Sequence, residues 1–228
     1  MIKLLDILKE VHTPTLKTGK GSIIYGVMHG NLSSAQKIVD DIIKKYPPDT
    51  KLVFMGEGGD SNNTYVAGSE NEYVFNKLKS HYNNLTNYSW DGKDFDVTNP
   101  SAPMFATIKS ITGLNKALVL AGVYAAMVGQ DQNPSEVSKL LTSQGIEWLQ
   151  SFGVKNPENP DHKDKQLMYD LSFPQDTGGQ VQGVSAVVDA YNKARQMNII
   201  KKLREWEGKG YKVVVLAGRD HLRDLKIS

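Results

Sequence analysis

Ser22-Ile-Ile-Tyr-Gly-Val-Met-His29 and Lys51-Leu-Val-Phe-Met-Gly-Glu57 are the two runs on which the fold turns. Each is a short, nearly continuous apolar stretch, the pattern of a strand covered on both faces. Between them Ala35, Ile38, Val39, Ile42, Ile43 and Tyr46 recur at helical spacing, with Asn31 or Ser33 placed to cap and Pro47-Pro48-Asp49 to stop the helix. A strand, a helix and a second strand of these lengths predict two parallel strands joined by a right-handed crossover.

Further along, Tyr211-Lys-Val-Val-Val-Leu-Ala-Gly-Arg-Asp-His221 is a third run of the same kind. It follows an amphipathic helix expected over about 184–207 and a turn at Gly208 to Gly210. Toward the N-terminus, Leu4, Leu5, Ile7, Leu8 and Val11 share one face of a short helix that Thr13-Pro14 and Gly19-Lys20-Gly21 end. In the middle, a helix is expected over 70–82 and no assignable element over the polar stretch 83–103. One or two tightly packed helices are expected in the Ala- and Gly-rich segment 105–128, another from Pro134 to about 152, and a loop over 156–165. These readings predict an α/β fold with a mainly parallel central sheet flanked by helices. It is expected as one domain, 1–228, with a largely helical insertion over 70–175 that shapes the pocket.

Composition narrows the function classes. Hydrophobic residues make up 39% and charged residues 23%, enough for a packed core. The net charge is +2 and the basic residues are dispersed, which argues against a nucleic-acid or anionic-membrane surface. With no cysteine, the chain has no disulfide, thiolate nucleophile or iron–sulfur ligand. The first residues mix charges at helical spacing without a signal-peptide core, and the apolar stretch from Ala117 to Gly129 is too short to span a bilayer. A cytoplasmic location is favoured, with a secreted toxin or effector domain as the other expectation.

All three strand runs deliver a chemically capable side chain at their C-terminal ends: His29, Glu57 and His221. That edge is where open α/β sheets build their sites. Two of the runs place glycine three residues before histidine, in Gly26-Val-Met-His29 and Gly218-Arg-Asp-His221. With 20 Gly and 5 His, chance would supply about 0.4 such spacings. A single histidine after a strand is more often structural; two, with a carboxylate, point to proton handling or metal ligation.

These motifs resemble the pattern shared by the TIKI/TraB peptidases, the erythromycin esterases and the ChaN-type haem-binding proteins. The resemblance covers roughly the first 60 and last 45 residues, and implies a His after the first strand, a Glu after the second and a His after a late strand. It also implies an Arg on the preceding helix, a place that Arg195 fills in Ala194-Arg-Gln-Met. His29-Gly30 is similar to the His-Gly of the esterase branch, whereas Val27-Met28 stands where that branch tends to carry Glu.

The family implies two routes. In one, His29, Glu57 and His221 hold a divalent metal (Zn, Mn or Co) whose bound water is the nucleophile. In the other, without metal, His29 takes a proton from water, Glu57 orients the imidazole, and Arg195 or His221 steadies the oxyanion. Both end in hydrolysis of a peptide, ester or lactone bond, so a small-molecule or peptide substrate is expected. The alternatives are a non-catalytic haem- or metal-binding protein on a ChaN-like scaffold, and an interaction or toxin-associated domain with a decayed site.

Other residues fit structural roles better. Asp60 in Gly-Glu-Gly-Gly-Asp suits a turn better than a second carboxylate near an ion, and Asp220 is either a further ligand or a partner of Arg219 or Arg223. His12, His81 and His162 belong to the surface, and Ser33-Ser34 to a helix start. Gly19-Lys-Gly-Ser22 precedes a strand where a phosphate loop would follow one, and no Gly-x-Ser-x-Gly elbow is present.

Overall fold

The computed structural model describes residues 15–27, 32–58, 63–174 and 183–219, together with Leu222 and Leu225. The chain divides into two compact units, one of residues 1–92 and 198–228, the other of residues 93–197.

Among the described residues, the first unit is built on a five-stranded sheet. Its strands are β1 (Thr15–Lys17), β2 (Ile23–Val27), β3 (Leu52–Gly56), β4 (Leu85–Ser89) and β5 (Lys212–Gly218), in the spatial order β1-β2-β5-β3-β4. Only β1 is antiparallel; β2, β5, β3 and β4 run parallel. Helix α1 (Leu32–Lys45) joins β2 to β3, and α2 (Glu70–Lys79) joins β3 to β4. The first two strand runs are therefore parallel, as their spacing predicts, but they are not neighbours: β5 lies between them. Local sequence pattern specifies that a strand exists and which way it runs, whereas its place in the sheet is set by long-range pairing.

Side chains alternate between two cores, as strand geometry requires. Ile23, Tyr25, Val27, Leu52, Phe54, Val214 and Leu216 pack on one face beneath α1 and α2, where Ile38, Ile42, Val74 and Leu78 meet them. Ile24, Val53, Met55, Val213, Val215 and Ala217 face the other way, against Ile199, Leu203 and Trp90. The helix over that second face is α8 (Val184–Gly208), whose residues from 198 onward belong to this unit. The crossovers β2 to β3 and β3 to β4 advance in one direction, and the return to β5 runs back. Right-handed connections then require helices on opposite faces, which is what the two cores record.

The second unit is helical. It contains α3 (Pro103–Thr112), α4 (Lys116–Gly129), α5 (Pro134–Val137), α6 (Ser143–Ser151), α7 (His162–Ser172) and the first part of α8. Gly113, at φ 71, ends α3 and separates it from α4, which Asn115 caps through its side chain. Helix α4 is apolar on every side, and Val119, Ala121, Val123, Ala125 and Val128 are all buried at the centre of this unit's core. Asp161 caps α7, and the buried Asp164 accepts from the amides of Lys155 (2.8 Å) and Asn156 (2.9 Å), fastening the preceding loop. Segment 70–92, expected within a helical insertion, forms α2 and β4 of the sheet unit, because β4 pairs with β3 along its whole length. Among the described residues no single helix is long and apolar enough to cross a membrane.

Candidate functional site

Three parallel strands end side by side at one edge of the sheet, with β5 in the centre. Val27, the last residue of β2, is the cross-strand partner of Gly218, the last residue of β5. Beyond β2 the chain enters α1 on one face; beyond β5, Leu222 and Leu225 pack into the core on the other. Neighbouring strands whose continuations leave toward opposite faces create the crevice that α/β sheets use for ligands.

The surroundings of Glu57 follow from β5 running on past the point where β3 stops. The last paired residues of β3 and β5 are Met55 and Val215. Even-numbered residues of β5 turn their amides toward β3, as the Lys212 N–H donating to the Lys51 carbonyl at 2.9 Å shows. Beyond Val215 two side chains take over the ladder. The Trp90 indole N–H donates to the Leu216 carbonyl at 2.9 Å, and the Gly218 amide donates to Glu57 Oε2 at 2.8 Å. Buried or half-buried backbone groups at the end of a central strand are thus satisfied without another strand.

Glu57 itself is half-buried and held along its backbone. The Gly56 amide donates to the Tyr65 hydroxyl (3.0 Å), the Glu57 amide to Asn71 Oδ1 (3.3 Å) and the Gly58 amide to Asp91 Oδ1 (2.9 Å). Asp91 also accepts from Ser89 Oγ at 3.0 Å. The Gly56 carbonyl accepts from the Trp90 amide at 3.1 Å, and the Trp90 carbonyl accepts from Asn198 Nδ2. Glycine is required at 56 by close approach, since a Cβ there would lie 2.5 Å from the Tyr65 ring. Burial pushes the Tyr65 phenol far above its ordinary value; the Gly56 amide opposes this and the charge of Asp91 adds to it. A carboxylate offers about four lone-pair sites, so the Gly218 amide orients Glu57 while the group serves other partners.

Of the expected site residues, Glu57 lies at this edge and is tied to the third motif through Gly218. His29 and His221 lie outside the described residues, as do Asp60, Asp220 and His12. Arg195 sits half-buried on α8 in the helical unit, its guanidinium 5.5 Å from the centre of the Tyr191 ring. His81 packs edge-on against Tyr82 at 4.8 Å, and His162 is the exposed first residue of α7. Among the described residues no three His, Asp or Glu side chains converge as a metal site; two of the three expected ligands are not among them.

Sequence reading missed Tyr65, Asn71, Trp90 and Asp91 as supports of Glu57. Their contacts join residues 9 to 126 positions apart, and no local spacing announces them. Comparison of the chain with known protein families, with characterised proteins and with solved structures returned no match.

Proposed function

We propose that the C-terminal edge of the sheet is a hydrolytic site in which His29, Glu57 and His221 activate water to cleave a peptide, ester or lactone bond. The observation that carries this reading is the hydrogen bond from the Gly218 amide to Glu57 Oε2, which joins the second motif to the third. Two further features support it. The register sets the end of β2 beside the end of β5, and strand neighbours lie about 4.8 Å apart. His29 follows Val27 by two residues and His221 follows Gly218 by three, which keeps their Cα atoms within roughly 7 and 11 Å of those strand ends.

In this reading Glu57 orients an imidazole and balances the positive charge that it gains on taking a proton from water. The Gly218 amide keeps the carboxylate pointed, as the outer partners of catalytic carboxylates do. The donor types, two imidazoles and one carboxylate, also suit a divalent ion, which supplies bound water ionising near neutral pH. Arg195 enters the proposal only through the resemblance to the esterase and peptidase families.

The test is an ester, lactone and peptide panel run on wild type and on His29→Ala, Glu57→Gln and His221→Ala, with elemental analysis of untagged protein. Hydrolysis lost in all three variants while their circular dichroism stays native supports the proposal. Stoichiometric Zn, Mn or Co assigns the metal route. No turnover across the panel, with a haem absorption band appearing on titration, would favour the non-catalytic binding protein.

A further inference from the structure

The helical unit contains a cavity of about 270 Å³ lined by α4, the C-terminal end of α7 and α8, entirely within residues 93–197. Helix α4 is drawn tight against α8 at Gly122, where a Cβ would lie 2.7 Å from Val187, and against α7 at Gly129, where one would lie 2.6 Å from the Tyr169 amide nitrogen. Val123 and Ala126, which lie between these two glycines in the sequence, line the cavity together with Val188 and Tyr191.

The chemistry of the lining is one-sided. Val123, Ala126, Met127, Phe173 and Val188 give an apolar wall, and Gln130 and Asn192 bring side-chain amides. Among the described residues, the one charged residue in the lining is Arg195. A guanidinium has five N–H donors in a planar fork that matches a carboxylate, so Arg195 can receive one alongside the partners it already has. A volume just below the usual range for ligand pockets favours a compact guest over a drug-sized one.

We propose that this cavity binds a small apolar carboxylate, with its hydrocarbon body against Val123, Ala126 and Val188 and its head on Arg195. The inference shares only Arg195 with the strand-end reading, and its test is separable because it reads binding, not hydrolysis.

Three probes share one body and differ in the head group: phenylacetate, 2-phenylethanol and phenethylamine. Each is titrated into the full-length protein while methyl NMR signals of Val123, Ala126, Met127 and Val188 are followed. Phenylacetate is expected to shift those methyls and to bind at least about tenfold more tightly than the alcohol, with the amine weakest. Arg195→Met should abolish that preference, and Ala126→Leu should remove binding of all three. If Ala126→Leu impairs folding, Asn192→Trp at the exposed rim serves the same purpose. Equal affinity for phenylacetate and 2-phenylethanol in wild type would overturn the proposal, as would methyl shifts that persist when the cavity is filled.

Discussion

Glu57 Oε2 accepts a hydrogen bond from the amide of Gly218 at 2.8 Å, across 161 residues of chain. This bond stands where the β3–β5 ladder ends, so one carboxylate has two separable roles. It accepts a backbone N–H, and it brings a negative charge to the sheet edge.

Substitution separates the two. Glu57→Gln retains an acceptor oxygen and discards the charge, whereas Glu57→Ala discards both. Glu57→Ala should lower stability by about 1–3 kcal/mol, the cost of stranding the Gly218 amide, and Glu57→Gln by less than about 1 kcal/mol. Urea unfolding of both variants checks this; equal losses would mean that charge, not the acceptor, holds the strand ends together.

Trp90 clamps the same edge through its indole bond to Leu216 and its amide bond to Gly56. Trp90→Phe preserves an aromatic ring and strands the Leu216 carbonyl, so a loss of about 1–3 kcal/mol is expected, with faster amide exchange at Gly218. A change below about 0.5 kcal/mol would show that the carbonyl finds another donor.

Tyr65 supplies a pH signature. Its folded-state phenol titrates above the unfolded value near 10, so the folded state holds the proton more tightly. Its stabilising contribution is complete below pH 10 and is lost as pH rises through the folded value. Tyr65→Phe should cost about 1–3 kcal/mol at pH 7 by leaving the Gly56 amide unmet, and that deficit should shrink steadily above pH 10. A deficit independent of pH between 9 and 11 would contradict the assignment.

What was legible in the sequence were elements covered on both sides. β3 and β5 are continuous apolar runs, buried along nearly their full length, and α8 shows its length through its flanking glycines. β4, Leu85-Thr-Asn-Tyr-Ser89, was not legible because it is mostly half-buried and pairs on one side only, which permits polar residues. β1, three residues long, carries too little pattern to detect. Helix α7 begins at His162, inside the stretch expected to be loop, and its Asp161 cap was not read from the sequence. At the site, glycine and chain polarity put Glu57 at the edge, but nothing local announced that β5 would insert beside it.

Packing in the helical unit can be tested by compensation. Gly122→Ala drives a methyl to within 2.7 Å of Val187 and should cost about 1–3 kcal/mol. Val187→Ala should cost a comparable amount alone by leaving a cavity. Combined, the two should recover at least about 1 kcal/mol relative to the sum of the single losses. Strict additivity by thermal or urea unfolding would mean that α4 and α8 relax apart.

The proposed site requires two imidazoles to share the sheet edge with the Glu57 charge, and histidine titration by NMR reads this without a substrate. Removing a nearby carboxylate lowers an imidazole's pKa. In Glu57→Gln, His29 and His221 should both titrate at least about half a unit lower than in wild type. Unchanged values for His29 and His221 would place them away from Glu57 and contradict the account.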